Sequence, residues 1–120
     1  EFAVPSREDL PPLTEYAQLL HEGDCHTAGY TEASRGCLHL CTHCPIPPVY
    51  GGRFFTLPQE IVLEDIRQQV KAGATHISFG DPDFLTFKPN CIAIVDAVIT
   101  WARGTNSERG SNRKHLSTLA

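Results

Sequence analysis

Three cysteines stand within eight residues in the stretch RGCLHLCTHCPIP (35–47), with His39 and His43 between them and prolines directly after. A segment this rich in thiol and proline makes neither a regular helix nor a central strand, so the rest of the chain must fold around it as a loop. The spacing is Cys37-x3-Cys41-x2-Cys44, and the remaining two of the five cysteines, Cys25 and Cys91, stand far to either side. An odd count with three so close is a poor disulfide framework. Clustered thiols without an export signal more often bind metal or do redox chemistry. The opening EFAVPSREDLPP has no basic start and no apolar h-region, so it does not read as a signal peptide. The expected compartment is therefore the reducing cytoplasm.

Charge narrows the partners. Ten Lys and Arg stand against fourteen Asp and Glu, a net −4, and the basic residues are scattered. This is no footprint for nucleic acid or a membrane surface. The longest apolar run, CIAIVDAVITWA (91–102), contains Asp96 and is too short to span a bilayer. An apolar content of 41% suffices for a core, and 120 residues make one small domain or a piece of a larger one.

Along the chain, residues 1–28 carry Pro5, Pro11 and Pro12 and read as an irregular lead-in or linker. YTEAS (30–34) reads as a short strand running into the cysteine loop, and PIPPVYGGRFF (45–55) as loop. The strongest helix signal follows. Thr56 and Gln59 form a candidate capping box, Pro58 suits the first turn, and Ile61, Val62, Ile66, Gln69 and Val70 give an apolar stripe with one polar interruption. Glu60, Glu64 and Asp65 lie toward the positive end, Lys71 toward the negative end, and Gly73 supplies the stop. ATHISF (74–79) reads as a strand ended by GDPDF (80–84). A second helix over 90–102 places Ile92, Val95, Val98 and Ile99 on one face. This alternation predicts an α/β fold of parallel βα units. The chemistry of such folds sits on loops leaving the C-terminal ends of strands, so the cysteine loop and GDPDF are expected to meet. Residues 103–120 are polar and read as a disordered or non-native tail. Two βα units cannot close a barrel and leave open sheet edges, so the chain reads as part of a longer protein.

Two metal chemistries compete for the loop. Structural zinc takes four tetrahedral ligands, usually as two pairs a dozen or more residues apart. No second cysteine pair exists here. His39 and His43 lie awkwardly close to the cysteines for closing a tetrahedron, with His21, His26 and His76 as further candidates. A non-catalytic zinc- or iron–sulfur-binding module is the alternative reading. Three thiolates on one short loop can instead hold three irons of a cubane cluster and leave the fourth open to substrate or cofactor. A cysteine nucleophile is disfavoured, because it needs one activated thiol beside a base, and Cys41 near His43 is the only such pair.

With Cys-x3-Cys-x2-Cys after a first strand, ASRGCLHLCTHCPIP resembles the signature of the radical S-adenosylmethionine (SAM) superfamily. The resemblance extends through PVYGGRFF, PQEIVLEDIRQQVKAGA and THISFGDPDF, over about residues 29–88. It implies that residues 29–102 form the first part of a partial (β/α) barrel of radical SAM type. Cys37, Cys41 and Cys44 would ligate a [4Fe–4S] cluster whose fourth iron is chelated by SAM. The residue before the third cysteine commonly lies by the adenine and is usually aromatic; here it is His43. The second strand usually ends Gly-Gly-Glu-like and contacts the SAM amino group; here FGDPDF makes Gly80, Asp81 and Asp83 the candidates. The reaction implied is reductive cleavage of SAM to a 5′-deoxyadenosyl radical that abstracts hydrogen from a substrate the sequence does not specify. The electron comes from a flavodoxin- or ferredoxin-like donor. His39 is placed to tune the cluster and Arg53 to pair with the SAM carboxylate or Glu32, although a solvated histidine and a surface arginine are the plainer readings. Cys25 and Cys91 read as plain residues. The lead-in REDLPPLTEYAQLL resembles the linker that follows a cobalamin-binding-type domain in some members; nothing within these residues calls for cobalamin.

Overall fold

The computed structural model describes residues 2–16 and 18–108, without the side chains of 105–108. They form a small mixed α/β domain. The elements in order are β1 (Gln18–His21), β2 (Asp24–Thr31), β3 (Ser34–Gly36), α1 (Ile46–Tyr50), β4 (Phe54–Thr56), α2 (Gln59–Lys71), β5 (His76–Phe79) and α3 (Lys88–Glu108), with a 3-10 turn at Leu13–Glu15 before β1.

Two sheets result. In the larger, ordered β1-β2-β5, β1 pairs antiparallel with β2, and β2 pairs parallel with β5 in the register Ala28↔His76 to Thr31↔Phe79. The βα repeat read from the sequence is thus present as β2-α2-β5. The irregular lead-in is not: residues 18–28 extend into a β1/β2 hairpin that joins the same sheet. The strand expected over 30–34 is divided, because the chain leaves the first sheet after Thr31 and enters the second at Ser34.

That second sheet is a ribbon of β3 and β4, pairing Ser34 with Thr56 and Gly36 with Phe54. Its strands are the two ends of the excursion that carries the cysteines. Residues 45–55, expected as loop, hold α1 and the start of β4. Pro47 and Pro48 sit in the first turn of α1, where a missing N–H leaves no bond unmade, and Gly51 ends it in the left-handed region at φ 59°.

Helix α2 begins on Pro58, whose carbonyl accepts from the amides of Ile61 and Val62 at 3.1 and 3.3 Å. The expected Thr56–Gln59 capping box is not formed; Gln59 instead donates from Nε2 to the Ala93 carbonyl of α3 at 3.2 Å. Gly73, at φ 103°, ends the helix as the spacing predicts. Ala74 N–H donates to Gln69 O and Gly73 N–H to Val70 O, the paired bonds of a Schellman motif.

The core is built from Ala33, Leu57, Val62, Ile66, Ala74, Ile77, Ile94 and Val98, with Phe2, Leu13, Phe79 and Trp101 packed against it. On α3 the buried line is Cys91, Ile94 and Val98; Ile92 and Ile99, expected on the buried face, are exposed. Each is one position C-terminal to a buried residue, Cys91 or Val98, so the error is one of phase. The helix also reaches Glu108, into the expected polar tail; residues 109–120 lie outside the described chain. Among the described residues no helix is long and apolar enough to cross a membrane.

Candidate metal centre

Because β2 and β5 are parallel, Thr31 and Phe79 finish side by side, and the segments that follow leave from one edge. They are laced together at once. Gly80 N–H donates to Thr31 O at 2.9 Å. The Asp81 carboxylate accepts from the Ala33 amide at 3.0 and 3.1 Å and from the Ser34 hydroxyl. Ala33 and Ser34 are buried, so Asp81 pins the acidic loop to the root of the cysteine loop. The Tyr30 hydroxyl donates to Gly80 O at 3.3 Å.

From that root the chain runs through the β3/β4 ribbon into the three cysteines. All five thiols of the protein are free; Cys37 and Cys44 are half-buried and Cys41 is exposed. The Cys44 amide donates to the Cys41 carbonyl at 3.3 Å, which turns the segment between these two cysteines. His43 is exposed on that turn.

The two loops meet at their chemistry-bearing residues as well. Donor atoms of Cys37, His39 and Asp83 all lie within 4.8 Å of one another, with His39 Nε2 3.9 Å from Asp83 Oδ2. The Asp83 carboxylate also accepts from the Thr86 hydroxyl, and Thr86 N–H donates to Asp83 O at 3.4 Å. Asp83 is thus held by a turn of its own loop while facing the other. The sequence leads us to expect the two loops to meet, but it does not pair Asp83 with His39, which reads as solvated and is 71% exposed. No local signal joins them, because their contact depends on the β2–β5 register.

Other expectations change. Arg53 donates from Nε to its neighbour's carbonyl, Tyr50 O, at 2.9 Å, while Glu32 pairs with Arg35, so the Arg53–Glu32 pair is not formed. Cys91 is buried at the start of α3 and donates to Phe84 O beneath the acidic loop. Burial pushes its thiol pKa up, and the Asp81 and Asp83 carboxylates add to the rise.

A second polar system, which the sequence did not suggest, fastens residues 2–16 to the domain. Asp65 and Gln69, both buried on α2, form its centre. Arg7 reaches Asp65 with both arms of its guanidinium, at 2.6 and 2.9 Å, and also donates to Tyr30 O at 3.1 Å. The Gln69 amide accepts from Tyr30 N–H at 2.7 Å and donates to Tyr30 O at 3.0 Å, serving the β2 backbone as a neighbouring strand would. The chain matches no known family model and no solved structure.

Proposed function

We propose that the protein is the cluster- and SAM-binding part of a radical SAM enzyme, belonging to a partial (β/α) barrel of that type. The observation that carries the reading is the meeting of the Cys37/Cys41/Cys44 loop with the GDPDF loop at the shared C-terminal edge of two parallel strands. With a [4Fe–4S] cluster and SAM bound, the chemistry supplied is one-electron cleavage of the sulfonium to a 5′-deoxyadenosyl radical.

The chain's own residues have narrower tasks. Cys37, Cys41 and Cys44 supply three thiolates and no fourth, which leaves one iron for the amino and carboxylate groups of SAM. Asp81 uses Oδ2 for one bond, to Ala33 N–H, and so keeps a lone pair there for an ammonium. Gly80 O likewise accepts only the Tyr30 hydroxyl among the described side chains. Asp83 is a third acceptor at the same edge, and His43 is an exposed planar group one residue before Cys44, suited to stacking on adenine. A flavodoxin- or ferredoxin-like protein is the fitting electron donor, and a reducing cytoplasm suits five free thiols.

Anaerobic reconstitution with iron and sulfide tests the reading. The expected result is about four irons and four sulfides per chain, lost in Cys37→Ala, Cys41→Ala and Cys44→Ala, with a cluster spectrum that shifts on adding SAM. One tightly held zinc, no labile sulfide and no response to SAM overturns it in favour of a non-catalytic binding module.

A further inference from the structure

We infer that Cys37, His39 and Asp83 form a mononuclear site for a divalent cation of borderline softness, Zn²⁺ foremost. Because the site takes Cys37, its occupation and cluster assembly exclude one another. The cation site stands on geometry alone; the exclusion rests on the cluster reading above.

The donor set selects the ion. One thiolate sulfur, one imidazole nitrogen and one carboxylate oxygen lie within 4.8 Å of each other. Magnesium and calcium want oxygen on every side, whereas zinc takes all three of these donors. A thiolate and a carboxylate with a neutral imidazole carry two negative charges, which a divalent cation cancels. Zinc bonds of about 2.0–2.3 Å at the tetrahedral angle put donor atoms roughly 3.3–3.6 Å apart. His39 and Asp83 at 3.9 Å are close to that already. His39, whose side chain is 71% exposed, has room to adjust toward both partners, and Cys37 and Asp83 already lie within 4.8 Å of each other.

The surroundings are those of a ligand set. Thr86 donates to the Asp83 carboxylate and orients it, as an outer-shell partner does for a metal-bound carboxylate. Asp81, on the same loop, already accepts from Ala33 and Ser34 and is not among the donors near Cys37 and His39, so the acidic loop turns one carboxylate to the root of the cysteine loop and a different one to Cys37 and His39. With three protein donors the fourth position is left to water. That is the composition of an open zinc site rather than a closed structural one. Cys41 and Cys44 take no part, so the loop holds two overlapping ligand sets that share one sulfur.

Cobalt, titrated into the reduced protein without sulfide, is the probe. A thiolate-to-cobalt charge-transfer band should rise to one Co²⁺ per chain and be displaced by one Zn²⁺. Cys37→Ala should abolish it. His39→Ala and Asp83→Asn should each weaken zinc by at least the roughly 10–100-fold that loss of an outer-shell partner costs a metal site. Cys41→Ala and Cys44→Ala should leave it unchanged, with circular dichroism confirming the fold of each variant. Zinc affinity lost in Cys41→Ala or Cys44→Ala but intact in His39→Ala and Asp83→Asn overturns the site, and so does the absence of any charge-transfer band in wild type. For the exclusion, zinc-loaded wild type should take up iron and sulfide more slowly than zinc-free protein, and His39→Ala should lose that inhibition. Equal uptake with and without zinc overturns the exclusion. Failure of every protein to take up iron and sulfide is a failure of the cluster reading, and leaves the cobalt result to decide the cation site.

Discussion

Gly36 is where the cysteine loop is hinged, and its conformation leaves no room for a side chain. Its φ is 81°, and a Cβ there would stand 2.2 Å from the Arg53 carbonyl and 3.1 Å from the Tyr50 ring. The obstructing atom is backbone of the facing strand's lead-in, which cannot swing aside. Gly36→Ala should therefore cost roughly 2–4 kcal/mol in a urea melt and weaken cobalt binding at Cys37. Gly51→Ala, at φ 59° with nothing near, should cost only about 1 kcal/mol and spare the metal. Equal losses would show that the close approach across the ribbon is not what matters. At the same scale, the buried Cys91 thiol predicts a pH dependence. Its pKa lies above its ordinary value of 9.0 in the folded state, so the folded protein holds this proton more tightly than the unfolded chain. Stability from this group is full below that value and is lost as pH rises through the folded pKa. Urea melts from about pH 7 to about pH 10.5 should show a decline that is shallower in Cys91→Ala. An unchanged slope refutes the assignment. The spacing of Cys37, Cys41 and Cys44 is visible in the sequence because it lies on one short segment and needs no tertiary information. The Asp83 partnership is not, because it exists only once β2 and β5 lie in register.

Among the elements, α2 was the most legible, and its two polar residues were the most misleading. Val62 and Ile66 are buried as the spacing predicts, and Gly73 ends the helix. Gln69 reads as an interruption in the apolar stripe and Asp65 as a charge toward the helix's positive end, yet both are buried and joined to Tyr30 and Arg7. Propensity and periodicity describe one element at a time, whereas these two residues serve another element. The same limit explains the missed β1/β2 hairpin: Pro5, Pro11 and Pro12, which make residues 1–28 read as an irregular lead-in, all precede residue 18 and lie outside both strands. The network predicts that Arg7 holds residues 2–16 against α2. Removing it leaves the Asp65 carboxylate buried without its partner, a change that typically costs 3–5 kcal/mol; with Arg7 partly exposed we expect about 2–3 kcal/mol for Arg7→Ala. Asp65→Asn paired with Arg7→Met removes both charges and should recover part of the loss. Hydrogen exchange at the Tyr30 amide, bonded to Gln69 Oε1, should quicken in Gln69→Leu and change little in Arg7→Ala. Comparable exchange in both variants would mean that the network opens as one unit.

At the scale of the whole molecule, the larger sheet has an edge strand on each side among the described residues, β1 and β5, and the β5 edge is the one that leads into the acidic loop. Among the described residues β5 pairs with β2 alone, so its other edge presents unpaired backbone groups. Exposed apolar side chains follow β5 along the chain: Leu85 and Phe87 in the segment joining it to α3, and Ile92, 60% exposed, and Ile99 on α3. A free strand edge together with exposed aliphatic side chains is a template for association, and β5, His76–Phe79, holds no proline. The protein alone should therefore self-associate, with a weight-average mass in sedimentation that climbs from 13.2 kDa as concentration rises. Charging the apolar part with Ile92→Lys and Ile99→Lys together should lower the association without unfolding the domain, because neither side chain belongs to the buried line of Cys91, Ile94 and Val98. If the wild-type mass stays monomeric over the whole range, the edge is protected and association is the wrong consequence to draw. If the mass climbs equally in the double variant, backbone pairing along β5 drives it and the α3 surface is incidental. The acidic loop that carries Asp83 and this edge belong together, since β5 ends at Phe79 and the loop begins at Gly80. Occupying Cys37, His39 and Asp83 with zinc should then order the end of β5 and shift the association, which the same sedimentation run with and without zinc will read.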